Sequence, residues 1–506
     1  MLYKNRPHRS IELWKNVSDK QWESAEWQLQ NSIKNVNQLQ KVIKLNHHQI
    51  KELERVVETL KQEGKEALRI TPYYASLIQE DPFHPVLRKG EKSSSWIDPI
   101  FWQSVPTPAN LLFPNTGLEG AMCEESRSFG AAYQRYPNRI ALFVAENTSC
   151  AAYCVHCQRA KSLDQNTSIS MEEINKGLFY IAYNKNIDEV LITGGDALRI
   201  HKQRLQYILE ELSRIEHVRV IRIATRVPVV LPMAITDDLL KEIHEYANQH
   251  TTGLEKHVYF MTHINHHQEI TENLFQAVKK IRKHGFSIRN QTVLLNHVND
   301  DYQTLAETFR RMLWIGVHPY YLLQCHKERG ITHFITPIQV GKIYMKHLQG
   351  WISGMAIPKY ASNVEGGGGK ILLMPSGHDT FNTGMTIEDK ISGSFAAIHT
   401  WDHRTILHYE ALGRASQEEY DEGMEMMNKF IGRKNVFRPN IIIIDQNGQA
   451  IKTTRKKKLP SFEKLKKTNS LHYKELHNGM PLTNPNQIVE QLEDLFKNSK
   501  FKTTPY

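Results

Sequence analysis

IALFVAENTSCAAYCVHCQRAK, residues 140–161, decides the fold: a short apolar run leads directly into three cysteines. Such a run, bounded by polar residues, reads as a buried strand. Cys150, Cys154 and Cys157 follow it with C-x3-C-x2-C spacing on one loop. Three thiolates on one loop can hold three corners of a [4Fe–4S] cube, leaving the fourth iron open to chelate a small molecule and pass it an electron. A structural zinc loop is the competing reading. Zinc wants four ligands, and the only nearby fourth candidate is His156, inside the loop itself.

Downstream, strands and helices alternate. MEEINKGLFYIAYN (171–184) is helical in pattern, EVLITGG (189–195) a strand, KQRLQYILEELSRI (202–215) a helix and VRVIRIAT (218–225) a strand. The alternation continues through TDDLLKEIHEYANQ, HVYFMTHI, TENLFQAVKKIRKHG, SIRNQTVLL, YQTLAETFRRMLWIG and HPYYLLQC, ending at Cys325. Alternating strands and helices imply parallel βα units, hence a full or partial β/α barrel. In such barrels the chemistry sits at the C-terminal strand ends. Cys150, Gly194, Thr225-Arg226, His263, Gln291 and His326 are all expected there.

The flanks divide the 506 residues further. Residues 1–100 form a helical N-terminal region, in which WESAEWQLQNSIKNVNQLQKVI and HQIKELERVVETLKQE repeat apolar positions at helical spacing. A loop-rich connector covers 101–134, the barrel 135–375, and an α+β extension with a basic segment 376–506. In the extension, FRPNIIIIDQNGQAIKTT reads as a strand pair with an Asn-Gly turn, and PNQIVEQLEDLF as a short helix. The net charge is +10 (64 Lys+Arg against 54 Asp+Glu), with much of the excess in KTTRKKKLPSFEKLKK. That run reads as a solvated basic tail, so nucleic acid is not expected as a partner. The start, MLYKNRPHRSIELWKN, has no apolar run, so no secretory leader is expected, and the longest apolar stretches fall short of a bilayer span. Only five cysteines occur, three of them on one loop, which is no disulfide framework. A reducing, cytoplasmic compartment is expected.

Other motifs carry chemistry more weakly. Gly194, Gly195 and Asp196 end a strand, where glycine backbone can approach a ligand closely; a plain tight turn looks the same. Four glycines precede Lys370, and a lysine so placed can bond an aldehyde cofactor; a surface loop is the bland reading. Ile371 stands where a Walker-type phosphate loop needs Ser or Thr. Arg135, Tyr136 and Arg139, in RYPNR, put two guanidinia just before the strand at 140, suited to phosphate or carboxylate, although ordinary surface charge looks alike. HINHH, from His263, tempts a metal reading, but no Asp or Cys completes a ligand set there, so hydrogen bonding at a cofactor is preferred. Cys123 and Cys325 read as local thiols.

Together the three-Cys loop, LITGGDAL, ATRVPVVLP, HINHHQEIT, NQTVLLNHVND, HPYYLLQC, GITHFITP and GGGGK, with IELWKN and ITPYYASL upstream, resemble the lysine 2,3-aminomutase family in that order. The similarity covers roughly residues 8–375, interrupted near 100–130. The resemblance implies a partial (β/α) TIM-like radical S-adenosylmethionine (SAM) barrel and an isomerase that moves an α-amino group to Cβ of a free amino acid. It implies a [4Fe–4S] cluster on Cys150, Cys154 and Cys157, and SAM near Gly194, Gly195, Asp196, His263 and Gln291. Lys370 would bind pyridoxal 5′-phosphate, with Arg135, Tyr136 and Arg139 toward its phosphate and Arg159 toward the substrate carboxylate. An electron donor such as flavodoxin or ferredoxin and a homo-oligomer are also expected.

The chain departs from the lysine enzymes where they hold the distal ammonium with two aspartates: His326 and Asn363 stand at those positions. A buried ammonium left without its partners loses about 3–5 kcal/mol. Glutamate-specific relatives carry Lys and Asn there, so glutamate is the expected substrate and lysine the alternative. Gln134 stands where the family has His, and no Cys follows Cys325, so the family's C-terminal zinc is not expected. A macromolecule-modifying radical enzyme is a further alternative. A metal-binding scaffold leaves the glycine run and Arg159 unexplained.

Overall fold

The computed structural model describes residues 2–64, 67–85, 96–113, 128–146, 150–157, 168–364, 369–373, 395–399, 405–409 and 412–454. Cys123, Arg159, glycines 366–368 and the expected helix near 485–496 lie outside them. The chain divides into Met1–Thr454 and Arg455–Tyr506, and everything described belongs to the first unit.

The N-terminal apolar periodicity yields one long helix, α1 (His47–Gln62), opened by a capping box between Asn46 and Gln49. The preceding stretch, expected to be helical, is instead three short turns of helix at Asp19–Trp22, Ala25–Gln30 and Val36–Leu39. Ser24 and Asn35 cap and restart it, and between them Ile33 bridges Ile70, which no continuous helix permits. The segment read as a connector is also ordered in part: Asp98 caps a wholly buried helix, Pro99–Ser104, through the amides of Ile100 and Phe101.

The main sheet has ten strands in chain order: β1 (Ser128–Phe129), β2 (Ala132–Tyr136), β3 (Arg139–Phe143), β4 (Glu189–Thr193), β5 (Val220–Ala224), β6 (His257–Thr262), β7 (Ser287–Leu294), β8 (His318–Gln324), β9 (Lys359–Val364) and β10 (Gly369–Leu372). Neighbours from β3 to β9 are parallel, as the alternation requires; β1–β3 and β9–β10 are antiparallel. The sheet therefore starts two strands earlier than the run at 140 suggests. The intervening helices are α2 (Met171–Tyr183), α3 (Lys202–Arg214), α4 (Asp237–Asn248), α5 (Glu272–Lys283), α6 (Tyr302–Ile315) and α7 (Ile338–Leu348). Side chains of Ser170, Thr236, Thr271 and Asp301 cap four of them.

Along β3, β4 and β5, fully buried residues alternate with partly exposed ones. The buried set faces the helices; a Cβ on Gly177 of α2 would meet Leu142 of β3 at 2.8 Å. Arg139, Thr193, Arg222, Gln291 and Tyr321 belong to the other set, lining the inside. A filled β/α barrel buries both faces. This one keeps an accessible lumen.

The two ends of the sheet meet there. The Lys370 amide of β10 donates to Tyr136 Oη of β2 at 2.7 Å. Gly369 has φ +88°, and a Cβ on it would lie 2.8 Å from Tyr136 Oη. Gly369→Ala is therefore expected to cost about 1–2 kcal/mol in a left-handed conformation, before any shift of Tyr136. A lowered midpoint of chemical unfolding would register it, and an unchanged midpoint would show that the seam does not depend on this contact.

The expected hairpin near the C-terminus is present. Strands Ile441–Ile444 and Ala450–Thr453 pair antiparallel around Gly448, φ +76°, with Gly413–Ala415 as the third strand of a small sheet. A helix α8 (Gln417–Ile431) packs on α1 and on the turn Pro108–Leu111. No described helix is long and apolar enough to cross a membrane.

Candidate active site

The cysteine loop is fixed by its backbone. Tyr153 N donates to Arg69 O and Val155 N to Gln103 O, both at 2.9 Å, and Cys157 N turns back on Cys154 O at 3.0 Å. None of the three thiols is in a disulfide. Burial raises the pKa of Cys150 well above its ordinary value, and the neighbouring Asp196, Cys157 and Cys154 raise it further. Burial also raises Cys154, against the pull of Arg226. Thiols that oppose each other's ionisation suit a shared cationic centre, which takes all three as thiolates.

The turn after β4 uses two left-handed glycines, Gly194 (φ 101°) and Gly195 (φ 60°). Asp196 is buried and braces this turn to the end of β5. Its carboxylate accepts from Thr225 Oγ1 at 2.6 Å, Arg226 N at 2.7 Å and Leu198 N at 3.0 Å. At the end of β6, His263 Nδ1 donates to Gln291 O at 2.7 Å, which fixes Nε2 as the acceptor. His156 Nε2 lies 2.9 Å from His263 Nε2, and the Asn265 amide reaches the same nitrogen at 3.1 Å. Burial, then Arg226, lowers the His263 pKa to about 4, so the ring is neutral at physiological pH. Of the residues expected at strand ends, Gln291 departs: it lies inside β7, beside a register break. It contributes a backbone carbonyl, which no sequence pattern marks.

At the seam, Lys370 pairs across strands with Asn363, and Asn363 Nδ2 lies 3.0 Å from His326 Nε2. The resemblance-derived substrate pair and the lysine are thus one cluster. Lys370 Nζ stands 5.6 Å from the centre of the Tyr321 ring. Desolvation in the lumen, then Arg135, Arg222 and Arg139, lowers its pKa to about 7. Arg135 Nε donates to Tyr133 Oη at 3.0 Å, and Arg139 stacks 4.0 Å above the Tyr136 ring. Gln134 faces the other way: it accepts from Tyr180 Oη at 2.6 Å and donates to the carbonyls of Tyr136 and Pro137. It steadies the turn that carries Tyr136 and Arg139.

Gln103 Nε2, His156 Nδ1, Arg199 Nε, Arg222 Nε, Arg226 Nε and Asn363 Oδ1 are buried polar atoms without a hydrogen-bond partner among the described residues. Buried polar atoms normally have partners. Those on His156, Arg199, Arg226 and Asn363 sit beside the thiols or Lys370, where a ligand would complete them. Arg222, Gln103, Tyr74 and Glu269 were not among the expected site residues, and Arg226 was expected only by its place at a strand end; each has its contacts through neighbours that only the fold brings together.

A parallel barrel with three thiols on the loop after its β3 strand defines the class of radical SAM enzymes, and residues 147–309 match the model of the radical SAM superfamily. The chain is 36% identical over 366 residues to the L-lysine 2,3-aminomutase of Methanococcus maripaludis, covering 71% of this chain and 78% of that one. It is 35% identical over 371 residues to the L-lysine 2,3-aminomutase of Clostridium subterminale (73% and 82% covered). Against the glutamate 2,3-aminomutase of Clostridioides difficile it is 34% identical over 362 residues (71% and 78% covered). The chain belongs to the lysine 2,3-aminomutase family, the radical SAM amino acid 2,3-aminomutases, and is an isomerase. The cofactors of this family are a [4Fe–4S] cluster, SAM and pyridoxal 5′-phosphate. The three-thiol donor set fits the first, and a low-pKa lysine among arginines fits the last.

Proposed function

We propose that this chain moves the α-amino group of glutamate, or of another free amino acid without a distal cation, to Cβ. The observation that carries it is the His326–Asn363 pair beside Lys370, neither of which is a carboxylate, with Arg135, Arg222 and Arg139 close enough to Lys370 to lower its pKa. A distal ammonium finds no carboxylate in this pair, whereas a carboxylate meets hydrogen-bond donors and positive potential.

The roles follow residue by residue. Cys150, Cys154 and Cys157 hold the cluster. The Gly194–Gly195 backbone, Asp196, His263 and Gln291 shape the SAM side, with neutral His263 as an acceptor. Arg135 and Arg139 bind the pyridoxal phosphate anion, Tyr136 ties their turn to Lys370, and Arg159 takes the substrate carboxylate. His326 and Asn363 meet the distal group. When bound, SAM and its cluster supply a carbon radical strong enough to remove a Cβ hydrogen, and pyridoxal phosphate carries the migrating nitrogen. A one-electron donor of the flavodoxin or ferredoxin kind and a homo-oligomer complete the proposal.

The lysine relatives favour a second reading, lysine as substrate. Reconstituted, reduced enzyme offered lysine and glutamate separately decides between them, and efficient β-lysine formation would end the glutamate reading. The double substitution His326→Asp with Asn363→Asp is expected to raise turnover of lysine relative to glutamate at least ~10-fold, since it restores the ion partners a buried ammonium needs. Product analysis from an equimolar mixture measures it.

A further inference from the structure

Arg226 joins four separated parts of the chain, and nothing proposed above uses its side chain. Its Nη1 donates to Cys154 Sγ at 2.7 Å. Its Nη2 donates to Tyr74 Oη at 2.6 Å and to Glu269 Oε1 at 2.8 Å. Its backbone amide holds Asp196 of the glycine turn at 2.7 Å. Tyr74 Oη donates its own hydrogen bond to Glu269 Oε1 at 2.8 Å, while its ring lies 4.9 Å from the guanidinium. The other Glu269 oxygen accepts the amides of Asn265 and His266 at 2.7 and 2.9 Å. The side chain of Arg226 is 8% exposed and that of Glu269 0%. A cation touching a cluster thiol is thus backed, on its far side, by a buried anion saturated with donors.

We infer that the Arg226–Glu269 pair sets the reduction potential of the cluster held at Cys154, Arg226 acting as a positioning residue that stabilises the reduced state and Glu269 as the anion that limits it. The inference rests on Cys154 ligating the cluster. Reduction adds one electron from a low-potential donor, so negative charge grows on the iron and sulfur while no bond to the protein changes. A cation and a hydrogen bond at a ligating sulfur favour that added charge. In a buried site the interaction is far less screened than in water. An anion one guanidinium further away opposes it. Removing Arg226 and neutralising Glu269 must therefore act in opposite directions. Mere loosening of the Cys154 loop, common to both changes, would act in one.

The test is a mediated redox titration of anaerobically reconstituted holoenzyme, with the spin signal of the reduced cluster as readout. At the potential where the native cluster is half reduced, Arg226→Gln is expected to lower the reduced-to-oxidised ratio about tenfold, 59 mV for a one-electron couple. Glu269→Gln is expected to raise the ratio at least ~3-fold, and Arg226→Lys, which keeps the charge, to stay within ~3-fold of native. Shifts of the same sign, or none beyond ~2-fold, overturn the inference. If Arg226→Gln holds no iron, Glu269→Gln decides alone: a raised ratio supports the inference and an unmoved or lowered one overturns it. Native protein that binds no four-iron cluster overturns the cluster assignment and this inference together. A native cluster with unmoved variants overturns this inference only.

Discussion

Lys370→Ala protein is expected to retain no pyridoxal phosphate through gel filtration and to lose aminomutase turnover at least ~10³-fold, the range over which one essential reacting group acts. The reason lies in the amine's surroundings. An ordinary lysine stays an ammonium until about pH 10.4, and an ammonium cannot attack an aldehyde. Desolvation inside the barrel, with Arg135, Arg222 and Arg139 around it, brings Lys370 to about 7. The amine is protonated below that value and free above it. Cofactor uptake by the native apo-protein should therefore rise between about pH 6 and about pH 8 and level off above, well before ordinary lysines lose their protons. Lys370→Arg keeps a cation in the same place and should fail equally, which separates bond formation from simple charge. Full cofactor retention and turnover by the alanine protein would remove Lys370 from the chemistry.

Much of this arrangement is legible in the chain. β4, β5 and β6 are short runs rich in β-branched or aromatic residues, and four of the helices between the parallel strands open on a Ser, Thr or Asp whose side chain caps them, so local preference and topology agree there. The thiol spacing marks its loop because few structures need three cysteines within eight residues. Arg226, Glu269 and Tyr74 are not legible as a unit. A buried Arg–Glu pair is tolerable only when the fold supplies every remaining donor and acceptor, and these come from residues 43 and 152 positions away from Arg226. The broken N-terminal helix escaped because Ile33 and Ile70, 37 positions apart, pair with each other, which outweighs a helical apolar period. Gln291 matters through its carbonyl, and side-chain type says nothing of that. Gln134, where the resemblance leads one to expect His, turns its amide toward Tyr180 and the carbonyls of Tyr136 and Pro137, so that departure reaches Lys370 only through the support of the Tyr136 turn.

Alanine at Cys150, Cys154 or Cys157, each alone, is expected to take bound iron and turnover below detection while the chain stays folded. The loop is held by Tyr153 N to Arg69 O and Val155 N to Gln103 O, bonds that involve no sulfur, so loss of a thiol leaves its path intact. What disappears is one of three ligands to a cluster that already lacks a fourth from the protein. Cys325→Ala is the control. That thiol is buried, with its pKa pushed up to about 12 by burial, so it stays protonated and should leave iron content unchanged. The same four variants weigh a different metal centre. Ligand atoms of Cys154, His156 and His263 lie within 4.8 Å of one another and could hold a single ion without the other two thiols. In that case Cys150→Ala and Cys157→Ala would keep their metal, and only Cys154→Ala would lose it. Equal loss from all three is the result that a shared cube requires, because its irons are bridged by sulfide and no corner is held independently of the rest.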